Sequence, residues 1–323
     1  MLTIGVDVGG TQVRAGVVDA KGALLDTRRA PTPSDEHALE NVIAGMATEL
    51  VVGHHGVRAI GLAVAGFVNL DRRRVGFCPH LPWRDAPVAE RIEQRIHLPV
   101  VVEHDANAAA VAEQWCGAAR GGGVAVLVVL GTGIGGALLV DGELFRGAHG
   151  VAPELGHLRL VPEGRPCPCG KRGCWERYCS GTALATTAVE LLAPRPGAPA
   201  DLLGGPRLGP PARAASGDQP QLSGRQVALA AGKKDPVALA AMAELARWLG
   251  EGLALVADVY DPELVVIGGA VAQSAPLFLD QARAHYAALV TGAGYRPLAR
   301  VRRAQLGAEA GIVGAALLAH SLA

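Results

Sequence analysis

The chain has 323 residues, 50% hydrophobic and 19% charged, enough to bury one large core or, more in keeping with this length, two of ordinary size. Its 30 basic and 30 acidic side chains leave a formal net charge of +0, which argues against a nucleic-acid partner, because neutralising a phosphate backbone takes a basic surface. The longest apolar run, Val124 to Leu130, is far shorter than the ~20 residues of a membrane-spanning helix, so no membrane partner is expected.

Strand composition begins at residue 2, which predicts no signal peptide ahead of the fold. Six cysteines, half of them in one short stretch, fit a reducing cytoplasm rather than a disulfide framework. In chain order, Leu2–Val8 reads as an apolar strand running into Asp7-Val8-Gly9-Gly10-Thr11-Gln12, Val13–Asp19 resumes strand composition, and beyond a turn at Gly22 a third strand covers Ala23–Arg29. Asp35–Val52 has helical spacing, Val57–Ala65 is a buried strand, and Asp85-Ala86-Pro87 opens a helix to Ile96 with proline near its first turn. Leu98–Glu103 is a strand and Ala106–Trp115 a helix.

The opening pattern then recurs. Val124–Leu130 is a strand, Gly131-Thr132-Gly133 turns, Ile134–Val140 returns, Asp141-Gly142 turns again and Glu143–Phe145 follows. This predicts an internal duplication and two similar α/β domains facing each other, a small one at 1–116 and a larger one at 117–306. Later in the chain, Ser180-Gly181-Thr182 starts a helix to Leu192, and Pro194–Ser223, thick with Pro, Gly and Ala, is expected to be an irregular surface loop. Asp235–Asp258 is a long helix, Leu264–Ile267 a buried strand ending in Gly268-Gly269, and Pro276–Leu289 a helix. Gly307–Leu322 is a last helix, expected to pack, with residues to 323, back on the first domain.

The two glycine turns have a chemical meaning. Backbone N–H groups at a Gly/Thr turn approach phosphate oxygens closely, and the threonine hydroxyl adds a donor. Either alone is as well explained as an ordinary tight turn; a facing pair, with Asp7 opening the first, makes a phosphate clamp. Gly131-x-Gly133-x-x-Gly136 also matches a dinucleotide fingerprint, but that motif must enter a helix and this one enters the strand Ala137–Val140. Between the turns, Asp105 stands where a strand stops and an alanine-rich helix begins, the end at which α/β folds place their chemistry. The competing explanation is a helix N-cap.

The stretch Glu154 to Glu176 holds the strongest signal. Cys167, Cys169 and Cys174 are spaced C-x-C-x4-C, Gly170 and Gly173 permit a tight knuckle, and His157 lies ten residues before the first thiol. These are the ligands of a closed tetrahedral zinc site, with free thiols or a disulfide as the alternatives and Cys179 competing with His157 for the fourth position. Four protein ligands leave no place for water, so the metal reads as structural, pinning a polar pocket that contains Glu154 and Glu176.

Five motifs together resemble the ROK family of bacterial sugar kinases and sugar-responsive repressors. They are Asp-x-Gly-Gly-Thr at 7–11, Glu-x-Asp-Ala-Asn at 103–107, Leu-Gly-Thr-Gly-Ile-Gly-Gly at 130–136, Glu-x-Gly-His at 154–157 and Cys-x-Cys-Gly-x-x-Gly-Cys-x-Glu at 167–176. With Ala65-Gly66-Phe67-Val68 and Leu81-Pro82-Trp83-Arg84, the pattern is most similar to the family's ATP-dependent glucokinases. The resemblance implies a two-domain actin/hexokinase-like ATPase fold built from duplicated βββαβαβα units. It also implies ATP-dependent phosphorylation of a hexose, glucose first, at its C6 hydroxyl, with Asp105 as the base. Gly66, His104, Asp105, Glu154, His157 and Glu176 would meet the sugar, while Asp7, Gly9, Gly10, Thr11, Gln12, Gly131, Thr132, Gly133, Gly268 and Gly269 would hold Mg2+-ATP. Zinc would sit on His157, Cys167, Cys169 and Cys174, and a homodimer or homotetramer is implied.

Three positions depart from the family pattern. Gln12 stands where lysine is common and removes a cation from the phosphate side; His104 replaces the asparagine usual before the catalytic aspartate; and His80 replaces the asparagine of Pro-Asn-Leu. Imidazole donates and accepts on a larger ring whose charge switches near neutral pH. The alternatives are therefore a kinase for mannose, fructose, N-acetylmannosamine or N-acetylglucosamine, or a sugar-sensing regulator. Family repressors carry a helix-turn-helix ahead of the first strand, and with a strand opening at residue 2 no such module is expected.

Overall fold

The computed structural model describes residues 1–192 and 222–323, so the expected loop at 194–223 lies outside the described residues except for its last two positions. Two five-stranded sheets organise the chain. The first contains β1 (Leu2–Val8), β2 (Gln12–Asp19), β3 (Leu24–Pro31), β4 (Val57–Val64) and β8 (Val100–His104) in the order β3-β2-β1-β4-β8. In the second, β9 (Val124–Leu130), β10 (Ile134–Val140), β11 (Glu143–Phe145), β12 (Leu264–Gly268) and β13 (Arg300–Arg303) run β11-β10-β9-β12-β13. The pairings agree position by position. In each sheet the first three strands form an antiparallel meander and the first strand pairs in parallel with the fourth, which pairs in parallel with the fifth.

Strand sequence follows position. Central β1 is buried along most of its length, whereas edge strand β3 alternates half-buried and exposed residues, Leu24-Leu25-Asp26-Thr27-Arg28-Arg29, as a strand with one wet face does. The helices are α1 (Glu36–Gly53), α2 (Val88–Ile96), α3 (Asp105–Cys116), α4 (Gly181–Leu192), α5 (Gly224–Gly232), α6 (Pro236–Tyr260), α7 (Leu279–Leu289) and α8 (Ala310–Ala319). Asp35 caps α1, accepting from Ala38 N–H, and Asp235 caps α6 in the same way with proline next.

Some expectations need correction. Pro87 occupies the cap position of α2, and Arg84–Ala86 before it is a strand, β7, with Asp85 at φ 45°. With β5 (Phe67–Val68) and β6 (Val75–Phe77) it forms a three-stranded sheet that the sequence reading missed. The α7 segment begins later than Pro276, which belongs to a 3-10 turn at Val271–Leu277. Helix α5 and edge strand β13 were also not foreseen.

Helix α8 is apolar on every side, as a helix buried all round must be. It lies on the first sheet at backbone contact: a Cβ on Gly5 would come within 1.8 Å of Ile312 O, and one on Gly61 within 1.8 Å of Ala315 O. It also packs against α3, which in turn covers β9 and β10. These two helices therefore fill the space between the sheets. One buried carboxylate fastens both chain crossings there. Glu113, near the end of α3, accepts from Ala118 N–H (2.7 Å) on the way into the second sheet and from Gln305 (2.9 Å) and Leu306 (2.8 Å) on the way back.

Candidate active site

Each glycine turn lies at the carboxyl end of the parallel strands of its sheet, the end at which residues of the two halves meet around a cleft. In the first, Gly9 N–H bonds Gln12 O (3.1 Å) and Gly10 packs on His80, where an added Cβ would be 3.1 Å from the histidine Cβ. Thr11 O accepts Thr32 N–H (3.1 Å), tying the turn to the residue after β3. Asp7, ion-paired with Arg14, has its carboxyl pushed up by burial and by the charge of Asp105, against the opposing pull of Arg14. Asp7 and Asp105 thus share one electrostatic environment although 98 positions of chain separate them.

The second turn closes with Gly131 N–H on Gly133 O (3.0 Å), and Gly181 N–H bonds Gly131 O (2.8 Å). This places the N-terminus of α4, capped by Ser180 on Ala183 N–H (3.1 Å), beside the turn. With Thr182 N–H on Thr132 O (3.4 Å), the first N–H groups of α4 are taken by the turn and the cap, and what the helix offers an anion is the positive end of its dipole. Beyond it opens a cavity of ≈ 1090 Å³, lined by Gly131, Thr132, Thr182, Arg225, Gln273 and Ser274 among others, large enough for a nucleotide. Gly268 and Gly269 do not line it. Gly269, at φ +85°, packs on Leu130, where a Cβ would meet Leu130 O at 2.4 Å, and turns the chain so that Ala270–Ser274 form the wall. The lining from α4, α5 and 270–274 escaped the sequence reading; the Ser-Gly-Thr helix start at 180–182 was its one available signal.

Asp105 occupies the first turn of α3, and the cap position belongs to His104. Its Oδ1 accepts only the N–H of the adjacent Ala106 (2.7 Å) and lies 3.3 Å from His104 Nε2. Nearly half of its side chain, 44%, remains exposed, which leaves the carboxylate open to a partner. Next to it a small cavity of ≈ 10 Å³ is walled by Gly66, Phe67, His104, Asn107, Gly150 and Glu154. Burial pushes the Glu154 carboxyl up, His104 and His157 oppose the shift, and Asp105 and Glu176 add to it. These charges converge on one space. Glu176 reaches the second glycine turn, its Oε2 lying 2.5 Å from where a Cβ on Gly133 would stand, while its Oε1 accepts from the Cys167 thiol (3.2 Å).

The ligand atoms of His157, Cys167, Cys169 and Cys174 lie within 4.8 Å of one another. Thiolates on a tetrahedral ion, each about 2.3 Å from it, sit about 3.8 Å apart, and Cys169 and Cys174 are at 3.6 Å. That separation is far too long for a disulfide. Cys167 Sγ is 3.7 Å from His157 Nδ1, which leaves Nε2 to face Glu154 Oε2 at 3.9 Å. Cys179 is turned away, buried in the second core with its thiol toward Leu245 O (3.8 Å), so it does not compete for the site. Against the burial that would raise it, hydrogen bonds from Lys171 N–H and the Cys167 and Cys174 thiols hold Cys169 below the ordinary thiol range. Such a donor set suits a metal cation.

Two sheets of identical topology, each with a glycine turn at the carboxyl end of its parallel strands, define an actin/hexokinase-like ATPase fold. The ROK family profile matches residues 3–322, and the chain belongs to the ROK family. It is 43% identical over 319 residues to a glucokinase of Streptomyces coelicolor, covering 99% of this chain and 98% of that protein. Among solved structures it superposes with a TM-score of 0.85 on a ROK family glucokinase from Streptomyces griseus in complex with glucose and AMPPNP, at 43% identity, covering 99% of this chain and 100% of that one. A ROK hexokinase from Thermus thermophilus gives a TM-score of 0.80 at 34% identity, covering 100% of this chain and 99% of the other.

Proposed function

We propose that this protein phosphorylates glucose at its C6 hydroxyl with ATP as donor. The observation that carries the proposal is Asp105, an exposed carboxylate whose charge is felt both by Asp7 at the first glycine turn and by Glu154. The full-length similarity to glucokinases supports the same donor and acceptor.

Phosphoryl transfer asks the protein chiefly for in-line positioning and charge neutralisation. In this reading the adenosine lies in the large cavity and the phosphates run past the α4 N-terminus toward both glycine turns. Glu154, Glu176 and His157 Nε2 bind sugar hydroxyls and fix the C6 oxygen near Asp105. As that oxygen attacks the γ-phosphorus, Asp105 takes its proton, which makes the help specific to the transition state. Magnesium on the phosphates would neutralise their charge, and Asp7, whose crowded carboxyl gains from a nearby cation, is the residue suited to hold it. Zinc held by His157, Cys167, Cys169 and Cys174 would pin the Glu154–Glu176 loop without entering the reaction.

We also propose the division 1–116 plus 307–323 against 117–306, with the two lobes closing on the sugar to exclude water as a competing acceptor. An ATP-consumption assay over glucose, other hexoses and N-acetylhexosamines tests the reading. Sugar-dependent ADP formation greatest with glucose is expected. A chain that binds sugar without consuming ATP would instead be a sensor or scaffold.

A further inference from the structure

Arg146 follows the edge strand of the second sheet, yet its guanidinium is spent entirely on the first half of the chain. It is 8% exposed. Nη1 donates to Leu70 O (3.0 Å), Nη2 donates to Asn69 O (2.9 Å) and Val68 O (3.3 Å), and Nε lies 3.1 Å from Glu103 Oε2. That carboxylate, 1% exposed, is also approached by Arg72 Nε at 2.9 Å. Both approaches to Oε2 are charge contacts, lying off the line of a hydrogen bond. The other oxygen, Oε1, accepts His104 N–H (2.9 Å) and Asn107 Nδ2 (3.0 Å), the residues on either side of Asp105-Ala106.

Three walls of the small cavity therefore end on one knot. The Gly66–Phe67 wall continues into the carbonyls that Arg146 grips, the His104–Asn107 wall hangs on Glu103, and the Gly150–Glu154 wall follows directly from Arg146. The last is pressed home by Gly150, where a Cβ would lie 2.6 Å from Val68 O. Arg72 is held at φ 57°, a left-handed conformation that non-glycine residues adopt at a cost, while its side chain reaches Glu103.

Stability alone is a poor reason for this arrangement. Burying an Arg–Glu–Arg cluster costs desolvation that its internal attraction barely offsets, and apolar replacements of such clusters are often neutral or stabilising. The knot does offer fixed geometry. We infer that Arg146, acting through Glu103, is a positioning residue for the transfer: it sets the spacing of the segments that carry Gly66, His104 and Glu154 and the aim of Asp105. The inference rests on the kinase reading proposed above.

The test compares the wild-type chain with Arg146→Lys and Glu103→Gln in glucose phosphorylation, together with equilibrium glucose binding and thermal melting. Lysine keeps the charge, but one ammonium cannot bridge three carbonyls and a carboxylate. Glutamine keeps the size and the oxygen that accepts from His104 and Asn107, and loses the charge that holds Arg146. Each variant is expected to lose about 10- to 100-fold in kcat, the scale of a small misplacement of reacting groups, with ATP KM unchanged and glucose affinity altered less than kcat. Combining the two substitutions should cost little more than either alone, because both undo one device. Turnover per folded molecule within twofold of wild type in both variants would overturn the inference. If Arg146→Lys does not fold, Glu103→Gln decides. Absence of glucose phosphorylation by the wild-type chain would overturn the kinase reading and this inference with it, whereas wild-type activity matched by both variants would remove the inference alone.

Discussion

Gly66 shows how one residue of the proposed sugar wall depends on its size. A Cβ there would come within 2.2 Å of Cys78 Sγ and 2.5 Å of Phe77 O, so Gly66→Ala must displace the loop that carries Phe67. We expect a raised glucose KM with ATP KM unchanged; unaltered glucose KM would show that the loop does not contact the sugar. Burial pushes the Cys78 thiol up to about 12, with Asp105 adding to the shift and Arg84 opposing it. It is therefore protonated at neutral pH, and alkylation of the folded protein at pH 8 should spare it, checked by peptide mass mapping. Residue chemistry of this kind was legible in the sequence where residue type alone declares it. Thiol spacing announced the cluster of three cysteines with His157, and the end of a strand announced where Asp105 would stand. Arg146 and Arg72 were not legible, because an arginine after a surface strand looks like any solvated charge until the fold carries it to a buried partner.

Among the elements, the knuckle from His157 to Glu176 depends most on something beyond its own packing. Its regular structure is two short 3-10 turns and two isolated bridges, Arg159 with Cys174 and Pro166 with Arg172, so a bound ion is what would hold it. Strong chelation or Cys169→Ser should release about one zinc per chain and lower both the melting temperature and glucose affinity. Purified protein without zinc by elemental analysis would remove the metal from the account. At the far end of α3 from Asp105, Glu113→Gln keeps the volume of the staple joining α3 to both crossings but points amide N–H groups at backbone N–H donors. Leaving buried donors unpaired costs about 1–3 kcal/mol, to be read as a lowered urea midpoint; an unchanged midpoint would mean the staple contributes nothing. Long elements such as α1 and α6 were readable because capping aspartates and apolar periodicity agree. The β5–β7 sheet, α5 and β13 were not, being two- to nine-residue pieces whose conformation is set by what they pack against.

At the scale of the whole molecule, the duplication was readable because it repeats a local pattern, strand, Gly/Thr turn, strand, Asp/Gly turn, strand, which needs no tertiary information to recognise. The large cavity was not readable, since its walls come from α4, α5 and 270–274, segments brought together only by the second sheet. The second half of the chain also carries exposed apolar residues on α6, Leu239, Leu255 and Val259. A homodimer or homotetramer through this half is expected, and light scattering giving a monomer at micromolar concentration would count against it. The central claim is that two similar lobes assemble a phosphoryl-transfer site around Asp105. The Asp105→Asn variant measures it most directly, because the amide keeps size and one acceptor oxygen but cannot take a proton. Turnover should fall by roughly two to four orders of magnitude, the usual scale of a general base, while glucose binds nearly as tightly as before. Near-wild-type turnover in that variant would contradict the account.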